Sequence, residues 1–286
     1  MRKLGLLAAL LLMAAPLALA QLQGTYQQID YPGAAATVIN AIDTGNDLSG
    51  WYQDASGVVH GWILKGPNYY TVDYPGATST QLLGMNDYGQ LVGEATPNGG
   101  FEHDANTGAF SIISYPGAAY THPNSINDEG EVAGYFGTQA GTFGFVLNGS
   151  SYTKVVPRGA TDVEVNGISY FDQLSGWVYS QGTGSYTNFI YSQGKYQHQA
   201  LPPNAVVNGI DMSGDALVGF YPAHAGNDAG FLSFRGTLTT LEFPGASYTV
   251  ATATDEGDEV AGYFADSSGV VHGFTWSCCL ARVEKK

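Results

Sequence analysis

Six histidines and 25 acidic residues are the groups in this chain able to move protons or hold a cation. His60 and His272 both precede Gly-aromatic, in His60-Gly61-Trp62 and His272-Gly273-Phe274. Two imidazoles at equivalent places could bind a metal or exchange protons near neutral pH, although a histidine that bonds the neighbouring strand is the simpler reading. His103, His122, His198 and His224 share no such spacing. Thirteen acids, among them Asp43, Asp87, Asp128, Glu131, Asp172, Asp211 and Asp255, stand in or beside one recurring turn. Oxygen-rich, negatively charged turns suit Ca²⁺, and Asp255, Asp258 and Glu259 form the densest set. None of these turns follows a full calcium-loop spacing, and an Asp in Asn-Asp-x-Gly also caps its own backbone. No cofactor is required by these patterns, and Ca²⁺ is the one the turns could take. A third set is amide-bearing: Asn40, Asn124, Asn166 and Asn208, with Leu83 and Thr252 at the equivalent places. Ringed around an axis they could hold a polar ligand, while satisfying buried backbone groups is the simpler role. The long loop from Pro222 adds His224 and Asp228 as ligand-binding candidates. No Ser-His-Asp order, paired-carboxylate motif, phosphate loop or His-Glu-x-x-His is present, so no catalytic residue is assigned.

The elements that must position these groups repeat. Aligned on the alanine of a Pro-Gly-Ala-like turn, the chain shows Ala34, Ala77, Ala118, Ala160, Ala205 and Ala246, at steps of 43, 41, 42, 45 and 41 residues. A glycine before an aromatic or polar residue follows 16 residues later in each copy except the fifth, where the gap is 14. In the first copy four strand-sized runs, 35–42, 47–53, 58–64 and 69–74, are joined by turns of hairpin length with Gly and Asn where φ must be positive. A period near 42 with four short strands per copy predicts a six-bladed, all-β propeller. The copies fall at about 34–75, 77–116, 118–157, 160–203, 205–244 and 246–277. The last copy has only three strands, and residues 25–32 match the missing fourth, so the N-terminal strand is expected to pair with the last blade and close the ring. Aromatics such as Tyr135, Trp177, Tyr221 and Tyr263 are expected to fill the wedges between blades. Small residues at Ala41, Gly84, Ser125, Gly167, Gly209 and Ala253 are expected where the sheets crowd at the axis.

Composition narrows the function classes. Met1-Arg2-Lys3, an apolar run and Ala18-Leu19-Ala20 read as a secretory signal cleaved after Ala20. The expected organisation is then residues 1–20 as signal, 21–277 as one domain and 278–286 as a tail. No later stretch reaches the roughly 18 apolar residues of a membrane helix. The formal charge is −15, and loss of Arg2 and Lys3 with the signal makes it −17. Such a surface repels phosphate backbones and anionic lipid, which disfavours nucleic acid and membrane insertion. Only 12% of residues are charged, against about 25% in ordinary domains, while 39 glycines and 19 tyrosines point to strands and turns. Cys278 and Cys279 are adjacent and do not make a disulfide scaffold or a four-ligand zinc site.

The combination of aromatic-Pro-Gly-Ala, Ser125-Ile126-Asn127-Asp128-Glu129-Gly130, Val-x-Gly-Tyr and Val271-His272-Gly273-Phe274 resembles the HAF-repeat group of bacterial extracellular proteins, from Thr25 to Trp276. The resemblance implies an exported propeller-like repeat protein and carries no catalytic residue over. The expected function is therefore that of an exported, monomeric, non-enzymatic binding or scaffolding protein whose partner is a protein or polysaccharide. A glycan-active lyase or hydrolase with its site at the channel mouth is the alternative. Exposed aromatics on one face would favour glycan contact.

Overall fold

The computed structural model describes residues 24–180, 182, 184–224, 227–255 and 259–278. Residues 1–20, expected to be a signal, with Glu256, Asp258, Cys279 and the side chain of His224, lie outside the described residues. Every described regular element is a strand, and none is a helix long and apolar enough to cross a membrane.

Strand β1 (Gly24–Ile29) precedes a series of antiparallel meanders. The first is β2 (Ala36–Ile42), β3 (Leu48–Gln53), β4 (Val59–Lys65) and β5 (Asn68–Val72). The second is β6 (Ser79–Met85), β7 (Gln90–Thr96), β8 (Gly99–Asp104) and β9 (Ala109–Ile112). There follow β10 (Tyr120–Ile126), β11 (Val132–Thr138), β12 (Gly141–Asn148) and β13 (Ser151–Val155), and then β14 (Asp162–Ile168), β15 (Leu174–Ser180), β16 (Ser185–Ser192) and β17 (Lys195–Gln197). The fifth meander is β18 (Val206–Ile210), β19 (Ala216–His224), β20 (Asn227–Phe234) and β21 (Thr237–Leu241). The sixth is β22 (Tyr248–Asp255), β23 (Glu259–Ala265) and β24 (Val271–Cys278).

Six separate sheets were expected, and this is corrected: β10–β17 form one eight-stranded sheet, beside four sheets of four strands. The third and fourth meanders meet through a single parallel bridge, Thr142 opposite Asp162. Its cause is a close approach at Gly141, whose φ is +129° and where a Cβ would lie 2.2 Å from the Thr161 carbonyl oxygen. Thr142 N then donates to that oxygen at 3.1 Å.

Strand β1 lies antiparallel to β24, from Gly24 opposite Cys278 to Ile29 opposite Gly273, and supplies the fourth strand of the sheet formed by the sixth meander. Strand β24 therefore runs one residue into what was read as the tail. The turns behave as their residues require. Ala34 N donates to Tyr31 O, Ala77 N to Tyr74 O and Ala246 N to Phe243 O at 3.0–3.1 Å. Gly76 stands at φ +78° and Asn204, its substitute in the fifth copy, at +57°, the left-handed position of a type II turn.

The hydrophobic core is six clusters, each drawn from two consecutive meanders. One unites Ile63 and Val72 with Leu82 and Phe101. Another unites Ile39, Leu48 and Trp62 of the first meander with Ala261 of the sixth, Ile29 packing against it. The wedges are filled by the aromatic after the small residue on each third strand: Trp62, Phe101, Phe145, Phe189, Phe231 and Phe274 are all fully buried, each contributing about 2 kcal/mol. This corrects the expectation for Tyr135, Trp177 and Tyr263, which are half-buried and face elsewhere.

Candidate functional site

The first strand of every meander breaks its ladder at the same place. The register skips Asn40 in β2, Leu83 in β6, Asn124 in β10, Asn166 in β14, Asn208 in β18 and Thr252 in β22. A β-bulge leaves one residue unpaired and re-aims its side chain. Here the freed side chain reaches the next meander. Asn40 Nδ2 donates to Leu82 O at 2.7 Å, Asn166 to Val207 O at 2.8 Å and Asn208 to Ala251 O at 2.9 Å. Asn124 donates to Val165 O at 3.0 Å and to Asn166 Oδ1 at 3.1 Å. Thr252 Oγ1 donates to Ile39 O at 2.8 Å, carrying the same contact from the sixth meander to the first. Leu83 has no such group to offer. The residue after each bulge is small because the next backbone lies against it: a Cβ on Gly84 would meet Asn124 O at 2.8 Å, and one on Gly209 would meet Thr252 O at 2.7 Å.

The four asparagines singled out from the sequence are therefore brought together. They bond neighbouring backbone, and with Leu83 and Thr252 they also form the floor between two spaces. The smaller, about 80 Å³, opens toward the first hairpins and is lined by Asp43, Asp87 and Asp255. The larger is a funnel of about 720 Å³ on the opposite side of the floor.

Part of the funnel wall comes from the cross-strand row two residues before each bulge. It reads Val38–Trp51, Gln81–Glu94, His122–Tyr135, Glu164–Trp177, Val206–Phe220 and Val250–Tyr263. Of these Tyr135, Glu164, Trp177, Val206, Phe220 and Tyr263 line the space, and Tyr186, Asn204 and Pro222 stand with them. Tyr186 is 42% exposed and meets Trp177 edge-on at 4.9 Å. Among the described lining residues Glu164 is the one carboxylate, and none is Lys, Arg or His.

Behind Tyr135 stands a polar group. His122 Nδ1 lies 2.6 Å from Glu94 Oε2, and the imidazole stacks on Tyr135 with centroids 4.8 Å apart and planes 15° apart. Burial pushes the Glu164 carboxyl up to about 7, with His122 pulling in the opposite direction. Burial also raises the Tyr135 hydroxyl, reinforced by the charges of Glu164 and Glu94 and by Tyr120. Sequence reading passed over Glu94, His122 and Glu164. Their signal lay in comparing copies at the residue two before each bulge, where Val38, Val206 and Val250 give way to Gln81, His122 and Glu164.

The remaining candidates fall outside the funnel. Asp228 pairs with Pro222 across the β19–β20 hairpin and lines a separate depression with Glu242 and Phe243. Asp255 and Glu259 face each other at the end of β22–β23, on the other side of the floor. The acidic turns hand hydrogen bonds from hairpin to hairpin: Thr44 N donates to Asp87 Oδ1 at 2.9 Å, and Asp87 N to Asp128 Oδ1 at 3.0 Å. Burial, with Asp47 and Asp87 nearby, pushes the Asp43 carboxyl up to about 6. The Glu129, Glu131 and Asp172 oxygens gather within 4.8 Å of one another, and the Asn127 and Asn148 amides take both oxygens of Glu131.

His60 and His272 are not joined in one site. His60 Nδ1 meets Asp73 at 2.9 Å with Nε2 3.6 Å from Asp54, and His272 Nδ1 meets Asp30 at 3.0 Å with Nε2 3.6 Å from Asp266. Each imidazole ties a second hairpin to the turn after an outer strand.

No family model matches this chain, and no curated protein matches it in sequence. Solved structures do match in shape. A TolB from Acinetobacter baumannii superposes with a TM-score of 0.59 at 12% identity over 81% of this chain and 63% of that one. This chain thus spans less than two thirds of that TolB. The β-propeller domain of the Trilobed protease from Pyrococcus furiosus gives 0.55 at 10% identity, covering 85% and 81%. A gluconolactonase, XC5397 from Xanthomonas campestris, gives 0.52 at 15% identity, covering 90% and 96%. At such identities the likeness is one of fold, and the fold of this chain is an all-β propeller.

Proposed function

We propose that the chain is an exported, closed six-bladed propeller that binds a saccharide in its funnel and acts as a non-enzymatic binding or scaffolding protein. Six blades follow from counting the eight-stranded sheet as two meanders, and closure is supported by β1 on β24 and by the core cluster shared between the sixth and first meanders. The N-terminal pattern of residues 1–20 supports export.

The observation that carries the ligand class is the funnel lining. Side-chain amides make its floor, and the partly exposed rings of Tyr135, Trp177, Tyr186, Phe220 and Tyr263 stand around it. Amides suit sugar hydroxyls and aromatic faces suit sugar C–H faces, and a cavity of this size takes a short oligosaccharide end. Titration calorimetry of the secreted form against a panel of neutral oligosaccharides tests this. A binder is expected, with affinity lost at least tenfold in Trp177→Ala, and a silent panel overturns the reading. A thermal scan with and without Ca²⁺ tests the acidic turn at Asp255.

A second reading, a glycan hydrolase or lyase, is favoured by the Glu94–His122 pair beside Glu164, since an oriented imidazole and a carboxyl titrating near neutrality are acid–base equipment. Release of new reducing ends or unsaturated products from the same panel would establish it.

A further inference from the structure

Resting on the saccharide reading, we propose that the funnel selects a saccharide carrying a free amino group, its ammonium seated against Glu164. The argument begins with charge. Glu164 lines the funnel, and behind Tyr135, outside the lining, stand a second carboxylate, Glu94, and one imidazole, His122. Glu94 takes His122 at 2.6 Å, so when both carboxylates are ionised one negative charge is left over even if the imidazole is protonated. No Lys or Arg lines the described funnel to balance it. A ligand cation does.

The surroundings of Glu164 suit an ammonium. Trp177 lies directly across the strand pair from Glu164, Tyr186 stands edge-on to Trp177, and Tyr135 bounds the same space. Aromatic faces beside a carboxylate are the setting in which a cation gains both π attraction and charge pairing. The whole molecule adds to this. A formal charge of −15 and a low-dielectric funnel with a carboxylate in its wall draw cations inward and repel acidic sugars.

His122 on β10 is the charged group that acts on Glu164, and Glu164 in turn acts, with Glu94 on β7, on the Tyr135 hydroxyl on β11. With no ligand, burial holds the Glu164 proton up to about pH 7. An incoming ammonium favours the ionised form, so below pH 7 the proton leaves as the ligand enters. This gives a signature that a neutral sugar does not share.

The test uses the secreted protein with a glucosamine trimer, its fully N-acetylated counterpart and a galacturonic acid trimer, by calorimetry at pH 5.5, where the sugar amines are already protonated and Glu164 still holds its proton, in two buffers of different ionisation enthalpy. The expected result is affinity for the free amine about tenfold or more above the acetylated trimer, a ratio that shrinks with added salt, protons released only with the amine, and no binding of the acidic trimer. Glu164→Gln brings the ratio to about one and abolishes proton release, while Asp215→Asn, in the first hairpin of the fifth meander, where it pairs with Arg235 outside the funnel lining, keeps the parent ratio. Equal binding of amine and acetylated trimers overturns the inference and leaves the saccharide reading standing, as does a ratio that survives Glu164→Gln. Silence from all three trimers overturns the inference, and a silent neutral panel overturns the saccharide reading with it. Far-ultraviolet dichroism and melting of Glu164→Gln separate loss of selectivity from loss of fold.

Discussion

The two halves of the cross-strand row before the bulges share a backbone and differ in chemistry. In the first, fifth and sixth meanders the residue two before the bulge is Val38, Val206 or Val250, each paired with an aromatic. In the second, third and fourth it is Gln81, His122 or Glu164, and Glu94 takes the place of an aromatic. The bulge, the small residue after it and the turn before it are common to all six. The repeated positions therefore carry the fold, and the positions that depart from the repeat give one side of the cavity its charged groups. The halves are also placed differently: the apolar half contains the β1–β24 seam, and the polar half lies away from it.

If the frame is common to both halves, damage to it should cost the same in each. Phe145→Ala in the polar half and Phe231→Ala in the apolar half each remove a fully buried ring from a wedge between meanders. Each is expected to cost about 3–5 kcal/mol in urea unfolding. A large loss in only one half would break the comparison at its base.

The bulge floor should separate the copies by smaller amounts. Asn166→Ala leaves the Val207 carbonyl without its donor and removes the Oδ1 that accepts from Asn124. A loss of about 1–3 kcal/mol is expected for the buried acceptor. Leu83→Asn, which gives the second meander the residue the others carry, should shift stability by less than about 1 kcal/mol, the net worth of an added hydrogen bond. Denaturant midpoints check both, and a Leu83→Asn loss as large as that of Asn166→Ala would show that the second copy is not equivalent.

Acidity distinguishes the halves next. Glu164 titrates near 7 when folded, above its ordinary value of 4.5. Its folded form keeps a proton that the unfolded form has lost, so this group supports the fold fully below pH 4.5, and its support fades as pH rises to about 7 and is flat beyond. Glu164→Gln removes that slope. Stability measured from pH 4 to 8 should therefore fall less steeply in the variant than in the parent. Parallel profiles would show that Glu164 is not held protonated by its surroundings.

Much of the frame could be read from residue order, because turn chemistry is local. Pro75-Gly76 and Asn204 state their backbone angles outright, in the Asp43-Thr44-Gly45 turn it is the following Asn46, at φ +62°, that takes the left-handed place, and the three-strand final copy demanded an N-terminal partner. The bulges could not be read, since skipping Asn124 or Asn166 looks the same in sequence as a strand running on, and only the pairing of Pro123 and Ser125 to adjacent partners reveals it. The four amides were found while their dual use, toward backbone and funnel, was not. Glu164 was missed for a related reason: an isolated Glu in a strand reads as solvent-facing until its cross-strand partner Trp177 is known to face the same space. The Thr142–Asp162 bridge depends on how closely two chains approach at Gly141, which no local pattern encodes.

The smallest expected effect concerns the seam itself. His60 and His272 make the same clamp, an imidazole between two aspartates, one stacked on Tyr52 and the other on Phe264. Their consequences should nevertheless differ. Asp73 is joined to His60 through the covalent run of β4 and β5, whereas Asp30 follows β1, a strand with no short covalent connection to β24. Exposed ion pairs of this kind contribute about 0–1 kcal/mol, so neither His60→Ala nor His272→Ala should shift the unfolding midpoint much. Amide exchange is the sensitive measurement, because it reports local opening. His272→Ala should speed exchange at Gln27 and Ile29 without touching β5, and His60→Ala should leave β1 as it was. Equal exchange in β1 for the two variants would mean that the seam is held by its ladder and by Tyr26 against Phe243 and Phe274, and that the histidine there is a repeat residue with no special duty at the joint.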